Sequence, residues 1–302
     1  MPLYVGTSGW AYPSWKPAFY PEKLAQKKFL NFYATKLNTV EVNFTFRQLV
    51  KETTIQNWLA ETPEQFRFTI KAHQVLTHIK RLKASEEFLK RFLATLEPLE
   101  RAKRLGPILF QLPPNFKADQ STLAEFLSIV PKGVRAAFEF RNATWFGETK
   151  PGETKSEVIK SEVIKPEVIK PGEIKPGEPA VSGAKKLPNK EGEQSGVLKK
   201  DGEATWQTLR ARNAALCVAE SEDRDTPDVL TADFAYYRYR KPTYTPEERQ
   251  KMVARLREHL AEGRDVFAYF KHEETPEGAL YAVDVLESVT GSSSLRALPV
   301  NE

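Results

Sequence analysis

The chain is poor in sulfur, with one cysteine, Cys217, and two methionines in 302 residues. A single thiol excludes an intramolecular disulfide and any cysteine-cluster metal site. The four histidines show no H-E-x-x-H spacing, which argues against a zinc site. No run of about 18 apolar residues occurs, so no membrane span is expected. The N-terminus enters MPLYVGTSGW directly, with no charged stretch leading into an apolar one. No secretory leader is expected, and the cytoplasm is the expected compartment. Neither G-x-G-x-x-G nor G-x-x-x-x-G-K-S/T follows any strand-like run, which weakens a nucleotide-binding reading.

One long segment has no aromatic residue at all. From Gly147 to Ala204 there is no Phe, Trp, Tyr, Arg, His or Cys, and Pro, Gly, Lys and Glu dominate. Within it, residues 151–180 read as six five-residue units: PGETK, SEVIK, SEVIK, PEVIK, PGEIK and PGEPA. A period of five matches neither helix nor strand, and it is too short for a solenoid repeat. Such a composition cannot bury enough apolar surface to offset chain entropy. Residues 147–204 are therefore expected to form a disordered, nearly neutral insert. Repeat expansion in a tolerant surface loop is the simplest account, and recruitment of a protein partner is the alternative.

The aromatics all sit in the remaining parts, 1–146 and 205–290, followed by a short tail at 291–302. With the tail these make roughly 244 residues, close to the ~250 of one α/β barrel. Eight apolar, β-branched runs recur: Leu3–Trp10, Thr39–Phe46, Arg67–His73, Pro107–Leu112, Val134–Arg141, Ala214–Glu220, Phe234–Arg240 and Asp265–His272. Amphipathic stretches separate most of them: Leu24–Lys36, Glu86–Arg104, Gln120–Val130, Thr205–Asn213, Pro246–His259 and Ala279–Val289. The fifth opens with T-P-E-E, a helix-start signal in which Thr245 caps and Pro246 takes the first turn. Strand–helix alternation eight times over predicts a closed (β/α)8 TIM-type barrel of parallel strands; an open doubly wound sheet is the alternative.

Barrel enzymes carry their chemistry at the C-terminal strand ends. Strand two places Glu41, Asn43 and Thr45 on one face, and strand three places Thr69, Lys71 and His73. Strand four ends in Gln111. Strand five offers Glu139 and Arg141, strand six Glu220, strand seven Arg238 and Arg240, and strand eight Lys271 and His272. A barrel interior built only for packing is filled by Val, Ile and Leu. Three carboxylates facing several cations instead describe a mixed-charge pocket, with ion pairs that merely brace the mouth as the competing account. Trp10, after strand one in SGWAYPSW, is expected to form an aromatic wall, with a loop that plugs the barrel as the alternative. A Mg or Mn site on Glu41, Glu139 or Glu220 is opposed by the nearby cations. No metal is assigned, and no cofactor is identified.

The same residues carry a family resemblance. The segments YVGTSGWAYPSW, LNTVEVNFTF, FTIKAHQVLTHIKRL, LGPILFQLPPNF, AFEFRNATWF, FAYYRYR and YFKHEE with GALYA resemble the domain-of-unknown-function 72 family, also called YecE-like proteins. The resemblance implies a TIM-type barrel and no particular activity. Two departures add positive charge. Arg238-Tyr239-Arg240-Lys241 stands where many relatives have Arg-x-His-Gly, and Lys271-His272 stands where many have an Asn-Asn pair. Both suggest a subgroup with a different or more anionic ligand.

The leading expectation is an enzyme for a small anionic substrate, phosphorylated or carboxylated. Glu41 and Glu139 would serve as the acid/base pair, with Lys71 beside them. Trp10, Asn43, His73, Gln111, Arg141, Glu220, Arg238, Arg240, Lys271 and His272 would line the ligand site. A nucleic-acid binding or processing protein is the second reading, motivated by Lys80–Lys83, Arg101–Arg104, Trp10 and Trp15. A non-catalytic scaffold acting through its insert is the third.

Overall fold

Eight short strands pair in parallel, each with its neighbour in sequence, and the last pairs back onto the first. The computed structural model describes residues 2–147, 202–220, 226–271 and 275–291. The strands are β1 (Leu3–Ser8), β2 (Thr39–Val42), β3 (Arg67–Lys71), β4 (Leu105–Gln111), β5 (Ala136–Glu139), β6 (Ala215–Glu220), β7 (Phe234–Tyr239) and β8 (Asp265–Phe270). The helices between and after them are α1 (Phe29–Tyr33), α2 (Glu52–Glu61), α3 (Glu86–Arg101), α4 (Gln120–Ile129), α5 (Glu203–Arg210), α6 (Pro246–Ala261) and α7 (Glu277–Thr290). This is the closed barrel that the alternation predicts, not the open sheet. Among the described residues no helix is long and apolar enough to cross a membrane.

The period-two pattern of the strands divides the apolar residues into two cores. Val40, Val42, Phe68, Ile70, Phe110, Phe138, Leu216, Val218 and Phe270 face outward and are buried under the helix ring. The stripe Leu89, Phe92, Leu96 and Leu99 of α3 packs into this outer layer. Each such side chain contributes about 1.5–3 kcal/mol by burial, before the entropy of ordering it. The second core fills the barrel interior with Tyr4, Leu109, Ala137, Ala215, Cys217, Phe234, Tyr236, Phe267 and Tyr269. It is largely aromatic, unlike the Val, Ile and Leu filling of a barrel interior built only for packing. Tyr4 stacks on Phe267 at 4.7 Å, and Tyr236 lies 5.3 Å from Tyr269. The Tyr269 hydroxyl meets Thr69 Oγ1 at 2.6 Å and Thr39 Oγ1 at 3.0 Å, so its polar end is satisfied across the barrel.

Local signals behave as their chemistry requires. Thr245 and Glu248 close a reciprocal capping box at the start of α6. One strand ends earlier than expected, and one helix was not foreseen. Strand two does not continue to Phe46. Asn43 turns into helical φ/ψ, and Phe44–Phe46 forms a 3-10 turn. Thr45 Oγ1 fastens that turn by donating to Val42 O at 3.0 Å and to Lys71 O at 2.8 Å. Helix α2 is an element that the sequence pattern did not reveal, because only Ile55 and Trp58 of its ten residues are buried. The expected disordered insert lies outside the described residues, except Gly147 and Gly202–Ala204. Glu203 and Ala204 are already the first turn of α5. Of the expected tail only Gly291 is described.

Strands β1 and β2 approach so closely that one side chain must be absent. A Cβ on Gly6 would lie 2.0 Å from Thr39 O and 2.9 Å from the Tyr33 hydroxyl. Gly6→Ala is therefore expected to destabilise the barrel by at least about 1–3 kcal/mol in urea unfolding. Gly133→Ala, which meets nothing within 4 Å, is the control and should leave the midpoint unchanged.

Candidate active site

The C-terminal ends of β2, β5 and β7 converge on one guanidinium. The Arg238 side chain is 4% exposed, too buried to remain charged without partners. Its Nη2 donates to Glu41 Oε1 at 2.8 Å, and its Nη1 donates to Glu139 Oε2. One cation thus bridges two carboxylates from opposite sides of the barrel. The space between these carboxylates, where a divalent ion would sit, is taken by Arg238. Among the described residues no group of three or more His, Cys, Asp or Glu is arranged to hold a metal ion.

Each carboxylate is also held by neutral donors. Glu41, wholly buried, accepts from Ser8 Oγ at 2.8 Å and from the Tyr236 hydroxyl at 2.7 Å. Glu139 accepts from Gln111 Nε2 through both oxygens, at 3.0 and 2.9 Å. Arg141 Nε donates to it at 2.9 Å and Arg240 Nη1 at 3.3 Å. Burial by itself pushes the Glu139 carboxyl up. The guanidiniums of Arg238, Arg141 and Arg240, with Gln111, outweigh burial and hold it well below the usual carboxylate range. Burial likewise opposes the charge on Arg238, but Glu41 and Glu139 raise its pKa further above the ordinary value. Burial first, and Glu41 next, push the Tyr236 phenol up, so Tyr236 is a fixed neutral donor.

Lys71, on the inward face of β3, stands apart. Glu41 and Glu139 give their ion pairs to guanidiniums, and Lys71 takes none of them. Its ammonium lies 4.4 Å from the centre of the Phe46 ring. Burial first, then the charge of Arg238, bring its pKa down to about 8, although Glu41 and Glu139 pull the other way.

The structure thus brings Glu41, Glu139, Gln111, Arg141, Arg238 and Arg240 into one hydrogen-bonded cluster, with Lys71 in its electrostatic field. Asn43 is half-buried just beyond β2, and its Oδ1 is a buried acceptor with no partner among the described residues. Trp10 is half-buried with its ring edge-on to Trp58 at 5.8 Å, and Phe44 meets the same Trp58 at 5.7 Å. Lys271 follows β8 and is half-buried.

Two expected site residues lie elsewhere. Glu220 points away from the interior. Ala215, Cys217 and Ala219 face inward on β6, and Glu220, one step out of phase, pairs with Arg255 of α6 at 3.3 Å. His73 lies beyond the end of β3. Its Nδ1 accepts from Val75 N at 3.2 Å, and its ring packs on Phe88 of α3 at 5.1 Å. His272 lies outside the described residues. Ser8 and Tyr236 were missed as partners of Glu41. For Tyr236 a signal existed, since it shares a strand face with Arg238 and Arg240 in FAYYRYR.

Fold and site together define a closed (β/α)8 barrel whose C-terminal mouth holds a buried arginine–carboxylate cluster. The model of the family described as "Protein of unknown function DUF72" matches residues 4–164 and 196–301, and the chain belongs to that family. It is 31% identical over 150 residues to the UPF0759 protein YunF of Bacillus subtilis, covering 48% of this chain and 52% of that protein. It is 29% identical over 147 residues to the UPF0759 protein YecE of Escherichia coli K12, covering 48% and 51%. The chain thus spans about half the length of the curated relatives it matches. Among solved structures, a DUF72 family protein of Thermotoga maritima aligns with a TM-score of 0.64 at 22% identity, over 96% of this chain and 100% of the other. A DUF72 family protein of Enterococcus faecalis aligns at 0.63 and 15% identity, over 96% and 98%. These two likenesses establish the fold alone.

The cluster sets a pH dependence. Glu139 has its folded pKa held below the ordinary 4.5, so its contribution to stability is fully present above that pH and is lost as the pH falls below it. Glu139→Gln is expected to cost about 3–5 kcal/mol at neutral pH, because it removes one partner of a buried pair. The gap to the parent should narrow as urea unfolding is repeated at successively lower pH below 4.5. A gap that stays constant with pH would show that Glu139 is not an ion-paired carboxylate.

Proposed function

We propose that the protein is an enzyme acting on a small anionic substrate, phosphorylated or carboxylated, at the C-terminal mouth of the barrel. The carrying observation is an imbalance of charge. Among the described residues, Arg141, Arg238, Arg240 and Lys71 gather around two carboxylates, Glu41 and Glu139, so that cationic side chains outnumber acidic ones there. Burial makes such an excess unfavourable until an anion joins it. The Arg141 and Arg240 side chains, 30% and 20% exposed, sit on the solvent side of the buried Glu139. They are placed to give planar, paired donors to a carboxylate or phosphate. The unpartnered Asn43 Oδ1 adds an acceptor for a substrate hydroxyl or amine.

The roles within the cluster follow from its electrostatics. A carboxylate saturated with donors and held far below its usual pKa is a weak base. Glu139 therefore orients the arginines, and Glu41, whose oxygens are taken by Ser8, Tyr236 and Arg238, holds Arg238 in place. Lys71 is the group whose protonated and neutral forms are both populated near neutral pH, so proton transfer falls to it.

Thermal unfolding with inorganic phosphate, small carboxylates and sugar phosphates tests the reading. A bound anion present at 100 times its Kd raises stability by about 2.7 kcal/mol. The expected result is stabilisation of the parent by at least one class and a loss of about tenfold in affinity in Arg240→Gln. Equal responses of parent and variant would remove the reading.

A further inference from the structure

We infer that Lys71 is an imine-forming amine and that the substrate class is a carbonyl compound bearing a carboxylate or phosphate. The inference rests on the anionic-substrate reading above and adds to it the group that reacts. Three observations place the amine. Lys71 projects from the end of β3 on the interior face, directly after Thr69, whose hydroxyl is fixed to Tyr269 across the barrel. Its backbone is pinned on both sides, because Thr45 Oγ1 donates to Lys71 O at 2.8 Å and Ala72 N donates to Leu109 O at 2.9 Å. Its nitrogen rests on the Phe46 ring, while the nearby carboxylates are occupied by arginines. Nothing in the cluster commits Lys71 to a structural ion pair, unlike Arg238.

The groups facing the amine all bear on its state. Arg238 and Arg141 disfavour the ammonium, and Glu41 and Glu139 favour it. His78, whose ring lies 4.8 Å from Phe46, is held below its ordinary pKa by burial first and by Lys71 next, which favours its neutral form. Burial and the two arginines prevail and bring the amine's pKa down to about 8, so that a minor fraction is uncharged at neutral pH.

The step balances without any further reactant. The neutral Nζ attacks the carbonyl carbon and forms a C–N bond. The C–O bond breaks, and the oxygen leaves as water with the two protons that the nitrogen gives up. The imine takes one proton from solvent to become an iminium, which withdraws electrons from the adjacent carbon. Arg141 and Arg240 hold the carboxylate or phosphate of the same molecule, so the reacting carbon is delivered to the amine with its charge already neutralised. This gives a purpose to an arginine-rich mouth around a lysine that is not itself ion-paired to a carboxylate.

The test is trapping on the full chain. Glyoxylate, a small carboxylated aldehyde, is added at neutral pH with cyanoborohydride, whose hydride reduces any iminium to a stable secondary amine. Peptide mapping then reads each lysine. Lys71 is expected to be modified at least about tenfold faster than the surface residue Lys90, whose side chain is 75% exposed. Inorganic phosphate should slow the Lys71 reaction, and Arg240→Gln should slow it about fivefold or more. Because the readout is on the unaltered protein, it does not depend on a variant folding; Lys71→Arg serves only to confirm the mapped site. Modification of Lys71 at or below the rate of Lys90 overturns the inference. If phosphate still stabilises the protein in that case, the anion site stands and only the imine step fails. Rapid labelling of Lys71 that phosphate and Arg240→Gln leave untouched would support the amine and remove the anion reading beneath it.

Discussion

One buried guanidinium organises this barrel. Arg238, near the C-terminal end of β7, binds Glu41 of β2 with one nitrogen and Glu139 of β5 with the other. Removing a guanidinium from water is costly, and so is burying each carboxylate. The three are tolerable together, with Ser8, Tyr236 and Gln111 donating to the carboxylates, while Arg238 Nε has no partner among the described residues. An apolar triad of the same volume could pack at least as well. What it could not do is hold Arg141 and Arg240 at the mouth or shape the field around Lys71. The cluster therefore reads as a device for placing charge rather than as a source of stability.

The layers below serve that placement. The interior core of Tyr4, Phe267, Phe234, Tyr236 and Tyr269 is more rigid than an aliphatic filling, because each ring has few rotamers and two of the tyrosines are anchored through their hydroxyls. Tyr269 ties β8 to β2 and β3, and Tyr236 ties β7 to Glu41 on β2. The strands that carry the charged groups are thus linked across the barrel one layer beneath them. Preorganisation of this kind is what a site needs if fixed cations are to stabilise charge without rearranging.

Much of this was legible in the residues, and the failures have physical causes. The eight strands declared themselves because period-two alternation is strong wherever one face lies under helices and the other faces a polar interior, as in AAFEFR and FAYYRYR. That same alternation correctly joined Glu139 to Arg141 and Arg238 to Arg240. Glu220 was misplaced because the last residue of β6 was assigned to the mouth without regard to phase; Ala215, Cys217 and Ala219 mark the true interior face. His73 was misplaced because β3 stops at Lys71 and the chain winds into a π-turn at Val75–Ile79, followed by left-handed Arg81, Leu82 and Ala84. No glycine announces those conformations, so periodicity alone could not find them. Helix α2 escaped for the opposite reason, since two buried residues are too few to make a stripe.

The central claim is that Arg238 and Glu139 are coupled through a desolvated ion pair on which the site's charge arrangement rests. A double-mutant cycle with Arg238→Met and Glu139→Gln, read by urea unfolding at neutral pH, measures that coupling directly. The account predicts that each single change is strongly destabilising, and that the double variant loses less than their sum by at least about 1.5 kcal/mol. Losses that simply add would mean that the two residues do not act as a pair, and the account of the mouth would fail with them.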